Sequence, residues 1–284
     1  MNTKHTIAFQ GVPGAYSHLS CQAFCPEWKA IAYESFSGML RAVQAGECDA
    51  AMVPVENSTA GRVADIHRLL PNSGLYIIAE HFQPVNHQLL GIKGAKLSNI
   101  REVHSHEQGL AQCREQLEKL GITPIIHSDT AGAARDVARW DDPTKAAIAS
   151  RLASDIYSLE ILTDKITDMS VNTTRFLIMK RKMQVPDISS EPAHCTFVFS
   201  VRSVPAALYK ALGGFATNGI NLTKIESYMS GDQMQSAQFY VDCEGHIEHE
   251  NMQLALEELK FYCLPDAVHI LGCYPSSSYR HKTR

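Results

Sequence analysis

The chain has 284 residues, of which 45% are hydrophobic and 20% are charged, and its formal net charge is -4. This length exceeds a typical domain of ~100–200 residues, so we expect two domains, and the composition excludes a disordered chain. The slight negative charge argues against a general nucleic-acid coat protein. No apolar run reaches the ~18 residues that cross a bilayer, and the N-terminus lacks the features of a secretion signal. We therefore expect a cytoplasmic protein.

The eight cysteines are scattered from Cys21 to Cys273, and no two of them form a Cys-x-x-Cys pair. A chain of this length can bury its own core, so we expect reduced, packed thiols and no disulfide framework. His104 and His106 alternate as metal ligands on a strand would, but no third ligand stands nearby. The sequence therefore predicts a structural role for this pair and no metal site.

Charge divides the chain into two parts. Residues 194–274 hold four Lys/Arg and nine Asp/Glu, whereas the rest of the chain is nearly balanced. The segment 183–193 between them has two prolines, a serine pair and no periodicity, which is typical of a linker. We predict a first domain at 1–182, a linker at 183–193, a second domain at 194–274 and a frayed tail at 275–284.

The first domain alternates short apolar runs with helical patterns, which predicts an α/β fold with crossover helices. Around Pro84 two strands follow each other without a helix, which indicates two lobes, roughly 1–80 with 164–182 and 81–163, joined by a hinge beside a cleft. The predicted strands are 6–10, 31–33, 51–55, 75–81, 87–92, 103–105, 124–127, 145–148 and 174–179, and the predicted helices are 36–45, 61–70, 107–120 and 130–140.

The second domain has the order βαββαβ, which is the ferredoxin-like unit. Its predicted strands are 197–201, 219–230, 235–243 and 267–274, with a turn at 231–232. Pro205 opens the first helix, and Asn218-Gly219 ends it as a left-handed cap would. The second helix is marked by apolar residues from Met252 to Leu259.

Several familiar catalytic motifs are absent from the sequence. It has no Gly-x-Gly-x-x-Gly loop, no Gly-Lys-Ser/Thr phosphate loop, no Gly-x-Ser-x-Gly elbow and no His-Glu-x-x-His site. Hydride transfer, nucleotide hydrolysis and zinc-dependent hydrolysis therefore lose support.

Four polar loops follow predicted strands instead, at 10–18, 54–61, 103–108 and 172–176. Asn57, Ser58 and Thr59 are good helix-capping residues, and the free N–H groups of a helix start would favour an anion. Arg175 offers a planar fork to a carboxylate. Plainer interpretations remain open, because Asn57 and Ser105 can simply cap helices and Arg175 can pair with a structural acid.

Taken together, these segments resemble the prephenate dehydratase family. The matching segments, in the family's order and spacing, are 11–17 (Gly-Val-Pro-Gly-Ala-Tyr-Ser), 54–58 (Pro-Val-Glu-Asn-Ser), 104–106 (His-Ser-His), 129–134 (Asp-Thr-Ala-Gly-Ala-Ala) and 172–176 (Asn-Thr-Thr-Arg-Phe). The resemblance implies a two-lobed, periplasmic-binding-protein-like catalytic domain. It also implies conversion of prephenate to phenylpyruvate, carbon dioxide and water in phenylalanine biosynthesis, without a cofactor.

By this resemblance, Thr174 donates a hydrogen bond or proton to the leaving hydroxyl of prephenate. We infer that Arg175 and the expected helix start at Asn57 hold the carboxylates of the substrate. The full set of expected substrate-binding residues is Asn57, Ser58, Thr59, Ser105, Gln112, Thr173, Arg175 and Phe176.

Residues 194–274 resemble the ACT regulatory domain of the same family, which implies feedback regulation by L-phenylalanine in a homodimer or homotetramer. The residues expected to bind phenylalanine are Ala206, Ala207, Leu208, Asn218, Asn221, Leu222, Glu226 and Ser227. The chain departs from the family pattern at Glu107, where proline is usual, at Ala206, where glycine is usual, and at Tyr228 and Met229, where Arg-Pro is usual.

Three alternatives stay open at this point. Arogenate dehydratase performs the same reaction on the aminated substrate, and the sequence does not exclude it. A two-lobed binding protein for amino or keto acids would share the cleft and the regulatory unit, but it would need no donor such as Thr174. A purely regulatory module would not need the first 180 or so residues.

Overall fold

A computed structural model of the chain describes residues 5–168, 171–189, 192–230 and 236–282. The chain divides into two compact units. The first unit contains Met1–Ala42, Ala51–Val63 and Phe82–Phe176, and the second contains Val43–Ala50, Ala64–His81 and Leu177–Arg284. The cysteines are all free thiols. Across the described residues, every helix is too short or too polar to span a bilayer.

The first sheet is built mainly by the N-terminal part of the chain. Its strands are β1 (Thr6–Gln10), β2 (Lys29–Tyr33), β3 (Ala50–Asn57), β4 (Gly61–Arg62) and β5 (Tyr76–Pro84), and they are interleaved with α1 (Tyr16–Phe24), α2 (Phe36–Ala45) and α3 (Ala64–Leu69). A later strand, which we number β11 (Thr173–Lys180), joins the sheet in the order β2-β1-β3-β11-β5, with β4 paired to β3.

The second sheet lies wholly within the first unit and has the order β10-β6-β9-β7-β8. Its core contains Leu89, Val103, Cys113 and Ile148, all fully buried. Its strands are β6 (Gln88–Gly91), β7 (Glu102–Ser105), β8 (Thr123–Ile126), β9 (Lys145–Ala149) and β10 (Glu160–Thr163), and its helices are α4 (Glu107–Ala111), α5 (Arg114–Leu120), α6 (Thr130–Trp140) and α7 (Arg151–Tyr157).

The third sheet lies wholly within the second unit and is antiparallel, in the order β13-β14-β12-β15. Its elements follow the order βαββαβ: β12 (Ala193–Val201), α8 (Ala207–Thr217), β13 (Leu222–Ser230), β14 (Ser236–Glu244), α9 (Glu250–Tyr262) and β15 (Cys263–Pro275), followed by α10 (Tyr279–Lys282). Phe197 stacks on Phe215 with ring centroids 5.4 Å apart, which joins β12 to α8.

These sheets confirm the predicted fold class, an α/β protein with two sheets and a ferredoxin-like unit. Some local predictions were wrong. The helix predicted at 61–70 starts only at Ala64, because Gly61–Arg62 pair with β3. The helix predicted at 107–120 is interrupted at Gln112 and Cys113, and α7 and β10 were not predicted. The turn predicted at 231–232 lies outside the described residues.

The described part of the tail, up to residue 282, is held in place by a buried acid, so the predicted fraying of this part was wrong. Arg280 donates from Nε to Glu80 Oε1 at 2.7 Å and from Nη2 to Oε2 at 2.8 Å. The backbone N–H of Ser277 also donates to Glu80 Oε1, at 3.0 Å. The Glu80 side chain is completely buried, so this bidentate pair anchors the tail to β5 within the second unit.

Candidate functional site

The first polar loop is fixed against the second-sheet lobe of the first unit. Ser150 Oγ donates to the carbonyl of Gly14 at 2.6 Å, and Tyr157 OH donates to the carbonyl of Pro13 at 2.7 Å. Gly14 has a φ of 91°, and an added Cβ would lie 2.9 Å from Ala153 Cα. The position therefore needs glycine both for its backbone conformation and for the close approach.

The second polar loop is a tight turn and not the expected helix start. Asn57 Oδ1 accepts from Thr59 N at 3.0 Å, from Ala60 N at 2.8 Å and from Thr59 Oγ1 at 2.7 Å. Because Asn57 occupies these N–H groups, they are not free to bind a substrate carboxylate, and that expectation was wrong. Ser58 also faces protein: its N–H donates to Thr173 O at 2.9 Å, and its Oγ accepts from Thr173 N at 3.0 Å.

Thr174 on β11 lies beside this turn. Its Oγ1 accepts a hydrogen bond of 3.0 Å from Asn57 Nδ2, which also donates to Asn172 Oδ1 at 2.7 Å. Successive side chains of a strand point to opposite faces. Thr174 therefore faces the cleft, while Arg175 points away from it.

Arg175 pairs with a structural acid. Its guanidinium is only 2% exposed, and Nη1 donates to Glu56 Oε1 at 2.9 Å. The expectation that Arg175 holds a substrate carboxylate was wrong, because the alternation of β11 turns it to the face opposite Thr174. Phe176 is 1% exposed and Thr173 is 9% exposed, so the structure places both in the buried part of the first unit.

Ser105 is also buried behind the cleft. Its side chain is inaccessible, and Oγ donates to the carbonyl of Ile148 at 2.7 Å. An added Cβ on Gly109 would lie 3.0 Å from Ser105 Oγ, which places Ser105 directly behind a glycine of the cleft wall. The expectation that Ser105 contacts substrate was therefore wrong, and the structure assigns it a role in joining β7 to β9.

Gln112 lies at the break between α4 and α5, and it connects the two lobes of the first unit. Its Nε2 donates to Thr59 Oγ1 at 2.7 Å. Its Oε1 accepts from Asn172 Nδ2 at 2.7 Å and is 3.0 Å from His87 Nε2. His87 Nδ1 in turn lies 3.1 Å from the hydroxyl of Tyr16. A continuous chain of hydrogen bonds thus runs from Tyr16 to Thr174.

A cavity of about 250 Å³ within the first unit is lined by several of these side chains, namely Tyr16, His87, Gln112, Asn172 and Thr174. Three residues of the site were not predicted: Tyr16, His87 and Asn172. Tyr16 and Asn172 lie inside the motifs quoted above, whereas His87 was noted only as the first residue of a predicted strand. None of the described residues that line the cavity is a lysine or an arginine. Burial raises the pKa of Tyr16, and burial lowers the pKa of His87 against an opposing hydrogen bond from Gln112. The cavity therefore offers mainly uncharged hydrogen-bonding side chains, together with the acidic side chain of Asp129.

A second cavity, of about 880 Å³, lies in the second unit at the start of α8. Three of the residues expected to bind phenylalanine line it: Ala206, Ala207 and Leu208. The other five are Asn218, at the opposite end of α8, and Asn221, Leu222, Glu226 and Ser227, on or next to the edge strand β13. At 1.5 Å per residue, α8 separates Ala206 from Asn218 by roughly 18 Å. One chain therefore does not bring all eight residues together.

Comparisons with known proteins agree with this architecture. The sequence profile of the prephenate dehydratase family matches residues 7–184. A bifunctional N-acyl-homoserine lactone acylase/prephenate dehydratase of Komagataeibacter europaeus is 44% identical over 282 residues, which cover 99% of this chain and 100% of that protein. The chloroplastic arogenate dehydratase/prephenate dehydratase 1 of Arabidopsis thaliana is 38% identical, over 98% of this chain and 74% of that protein.

Among solved structures, the prephenate dehydratase of Arthrobacter aurescens in complex with L-Phe superimposes with a TM-score of 0.87 at 29% identity. The superposition covers 95% of this chain and 90% of that chain. The family profile, the nearly full-length relatives and the shared fold lead to one conclusion: the chain belongs to the prephenate dehydratase family.

Proposed function

We propose that the chain converts prephenate to phenylpyruvate, with Thr174 as the donor to the leaving hydroxyl. One observation carries this assignment. Thr174 Oγ1 accepts a hydrogen bond from Asn57 Nδ2 at 3.0 Å, so its own hydroxyl proton is free to point into the cavity. The same contact draws electron density from Oγ1 and strengthens Thr174 as a donor.

The reaction needs little from the protein beyond positioning and hydrogen bonding. The bond between the ring and its carboxylate breaks, its electron pair enters the ring, and the ring becomes aromatic as the hydroxyl leaves from the opposite carbon. The carboxylate departs as carbon dioxide, Thr174 donates a hydrogen bond to the leaving hydroxyl as negative charge develops on it, and a proton from solvent converts the departing hydroxide to water. Aromatisation supplies the driving force of the reaction.

We infer that the carboxylates of prephenate bind near the first turn of α1. Ala15, Tyr16 and Ser17 line the cavity, and no side chain caps this nine-residue helix. Its first N–H groups and its positive end suit an anion. Asn57 and Gln112 complete the polar lining, each from a position that the sequence predicted. Residues 1–182 form the catalytic domain in this proposal, residues 183–193 a linker and residues 194–274 the regulatory domain.

L-Phenylalanine is proposed as the effector of the second domain, and the cell cytoplasm as the compartment. Three of the expected effector residues line the cavity at the start of α8, whereas the other five lie at the end of α8 or on or next to β13, so we infer that two chains each supply one group. This arrangement requires at least a homodimer, and a homotetramer also satisfies it. A concentration-dependent sedimentation experiment should show association that phenylalanine strengthens. A monomer that still binds phenylalanine fully would contradict the shared site.

The test of function is turnover of prephenate at pH 7.5 against a blank without enzyme, with phenylpyruvate measured by absorbance. We expect turnover that phenylalanine inhibits. Binding of prephenate without product would instead identify a non-catalytic binding protein. The Arabidopsis thaliana relative is named for both substrates, so L-arogenate is measured in parallel. A higher kcat/KM on L-arogenate would assign the chain as an arogenate dehydratase.

A second candidate activity is hydrolysis of N-acyl-homoserine lactones, which the name of the Komagataeibacter europaeus relative includes. An apolar cavity of about 480 Å³ in the first unit favours this candidate, because it could hold an acyl chain. Its apolar lining includes Leu110, Leu117, Ile122 and Ile126. Release of homoserine lactone from a medium-chain substrate would support this activity, and its absence would leave the dehydratase proposal unaffected.

A further inference from the structure

The polarity of the hydrogen-bond network around Thr174 is fixed by two backbone groups. A carbonyl oxygen only accepts and an NH₂ group only donates, so one certain contact decides how an amide side chain is oriented. The N–H groups of Thr59 and Ala60 both donate to the side-chain oxygen of Asn57, at 3.0 and 2.8 Å. Asn57 must therefore present its Oδ1 to the turn and its Nδ2 to Asn172 and Thr174.

The orientation of Asn57 also fixes the orientations of three further side chains, which form a closed ring of hydrogen bonds with it. Asn57 Nδ2 donates to Asn172 Oδ1 at 2.7 Å, and Asn172 Nδ2 donates to Gln112 Oε1 at 2.7 Å. Gln112 Nε2 donates to Thr59 Oγ1 at 2.7 Å, and the Thr59 hydroxyl donates back to Asn57 Oδ1 at 2.7 Å. Each member donates to the next, so no single amide can rotate without breaking the ring.

The ring also determines which nitrogen of the His87 imidazole carries a hydrogen. Gln112 Oε1 is an acceptor and lies 3.0 Å from His87 Nε2, so Nε2 must carry a hydrogen. His87 is 3% exposed, and burial disfavours the charged ring, so Nδ1 carries none. Nδ1 then accepts from the hydroxyl of Tyr16, 3.1 Å away. The hydroxyl hydrogen of Tyr16 is therefore used in the hydrogen bond to His87. A ligand can interact only with the lone pairs of the Tyr16 oxygen.

We propose that Asn172 and His87 are positioning residues, which hold Thr174 as a hydrogen-bond donor and Tyr16 as a hydrogen-bond acceptor in the same cavity. This inference deepens the proposed function and rests on it for its catalytic meaning. The hydrogen-bond polarity itself rests only on the geometry of the first unit.

The direct test is the tautomer of His87 at pH 7.5, measured from ¹⁵N shifts of the imidazole, with the signals assigned by comparison with His87→Gln. We expect a neutral ring with its hydrogen on Nε2. A hydrogen on Nδ1 alone, or on both nitrogens, would overturn the proposal. This measurement uses the full chain without substrate, so it remains decisive even if prephenate is not turned over.

Asn172→Asp tests whether the ring controls the tautomer. A carboxylate cannot donate to Gln112, so the Gln112 amide should rotate and present Nε2 to the new acceptor and to His87. We then expect the His87 hydrogen to move from Nε2 to Nδ1. Asn86→Asp is the matched control: Asn86 is exposed and adjacent to His87, and its side chain is not a member of the ring. Three results would contradict the proposal. In Asn172→Asp, the His87 hydrogen could stay on Nε2 or the imidazole could become charged; alternatively, the hydrogen could move to Nδ1 in both Asn172→Asp and Asn86→Asp.

Kinetics separate positioning from a merely structural role. Asn172→Ala breaks the ring beside Thr174, and we expect kcat on prephenate to fall by up to about 100-fold, with KM changed less than about threefold. An unchanged kcat with a raised KM would contradict the assignment, because Asn172 would then contribute only to binding.

Discussion

The ion pair between Glu56 and Arg175 should stabilise the first unit far more than an exposed pair of the same length. The contact is 2.9 Å, with Arg175 2% exposed and Glu56 31% exposed. Glu56→Gln keeps the size of the side chain and removes its charge, so the buried guanidinium of Arg175 loses a charged partner at 2.9 Å. Breaking a fully buried pair costs about 3–5 kcal/mol. Because Glu56 is partly exposed and screened by water, we expect roughly 2–3 kcal/mol.

The assay is the midpoint of thermal unfolding, measured by calorimetry. A loss of roughly 2–3 kcal/mol should lower the midpoint by about 5–10 °C in a chain of this size. The control is Glu118→Gln, since Arg114 and Glu118 also lie 2.9 Å apart but are 79% and 66% exposed. We expect that control to change the midpoint by less than about 2 °C. Equal shifts in the two variants would refute the reasoning that burial of Arg175 makes the pair strong.

Three further predictions concern stability. Arg280→Ala should destabilise the chain by about 3 kcal/mol in calorimetry, since it removes two charge-assisted hydrogen bonds from the buried Glu80; an unchanged midpoint would contradict this. Ala206 has a φ of 60°, so Ala206→Gly should relieve up to about 1 kcal/mol of strain and raise the midpoint, whereas a lowered midpoint would argue against strain. Burial lowers the pKa of His87, so the unfolded chain takes up a proton near pH 6.5 that the folded chain does not. Stability should therefore fall more from pH 7 to 5 in the wild type than in His87→Gln, and an equal fall in the two would contradict this.

The sequence predicted the elements whose pattern is local. The alternation of strands and helices predicted β1, α2 and α6 with the bounds that the structure shows. It missed α7 and β10, which are short and follow each other closely. It also extended a helix through Gly61, because the pairing of that segment with β3 depends on a neighbour that a helical pattern does not reveal.

At the candidate site, residue type alone did not predict which side chains face the cavity. Thr174, Asn57 and Gln112 were predicted, and they meet in one hydrogen-bonded network. Arg175 and Ser105 were predicted as substrate contacts from their residue types, but their roles depend on which face of a strand each side chain occupies. Thr174 and Arg175 are neighbours on β11, so only one of the two can face the cavity.

The central claim is that the hydroxyl of Thr174 assists departure of the hydroxyl of prephenate. The most direct measurement is kcat on prephenate for Thr174→Ala beside Thr174→Ser, with circular dichroism to confirm an unchanged fold. We predict a loss of ~10²–10³ for Thr174→Ala, the usual effect of removing one transition-state donor, and a much smaller loss for Thr174→Ser, which keeps the hydroxyl. A kcat for Thr174→Ala equal to that of the wild type would contradict the account.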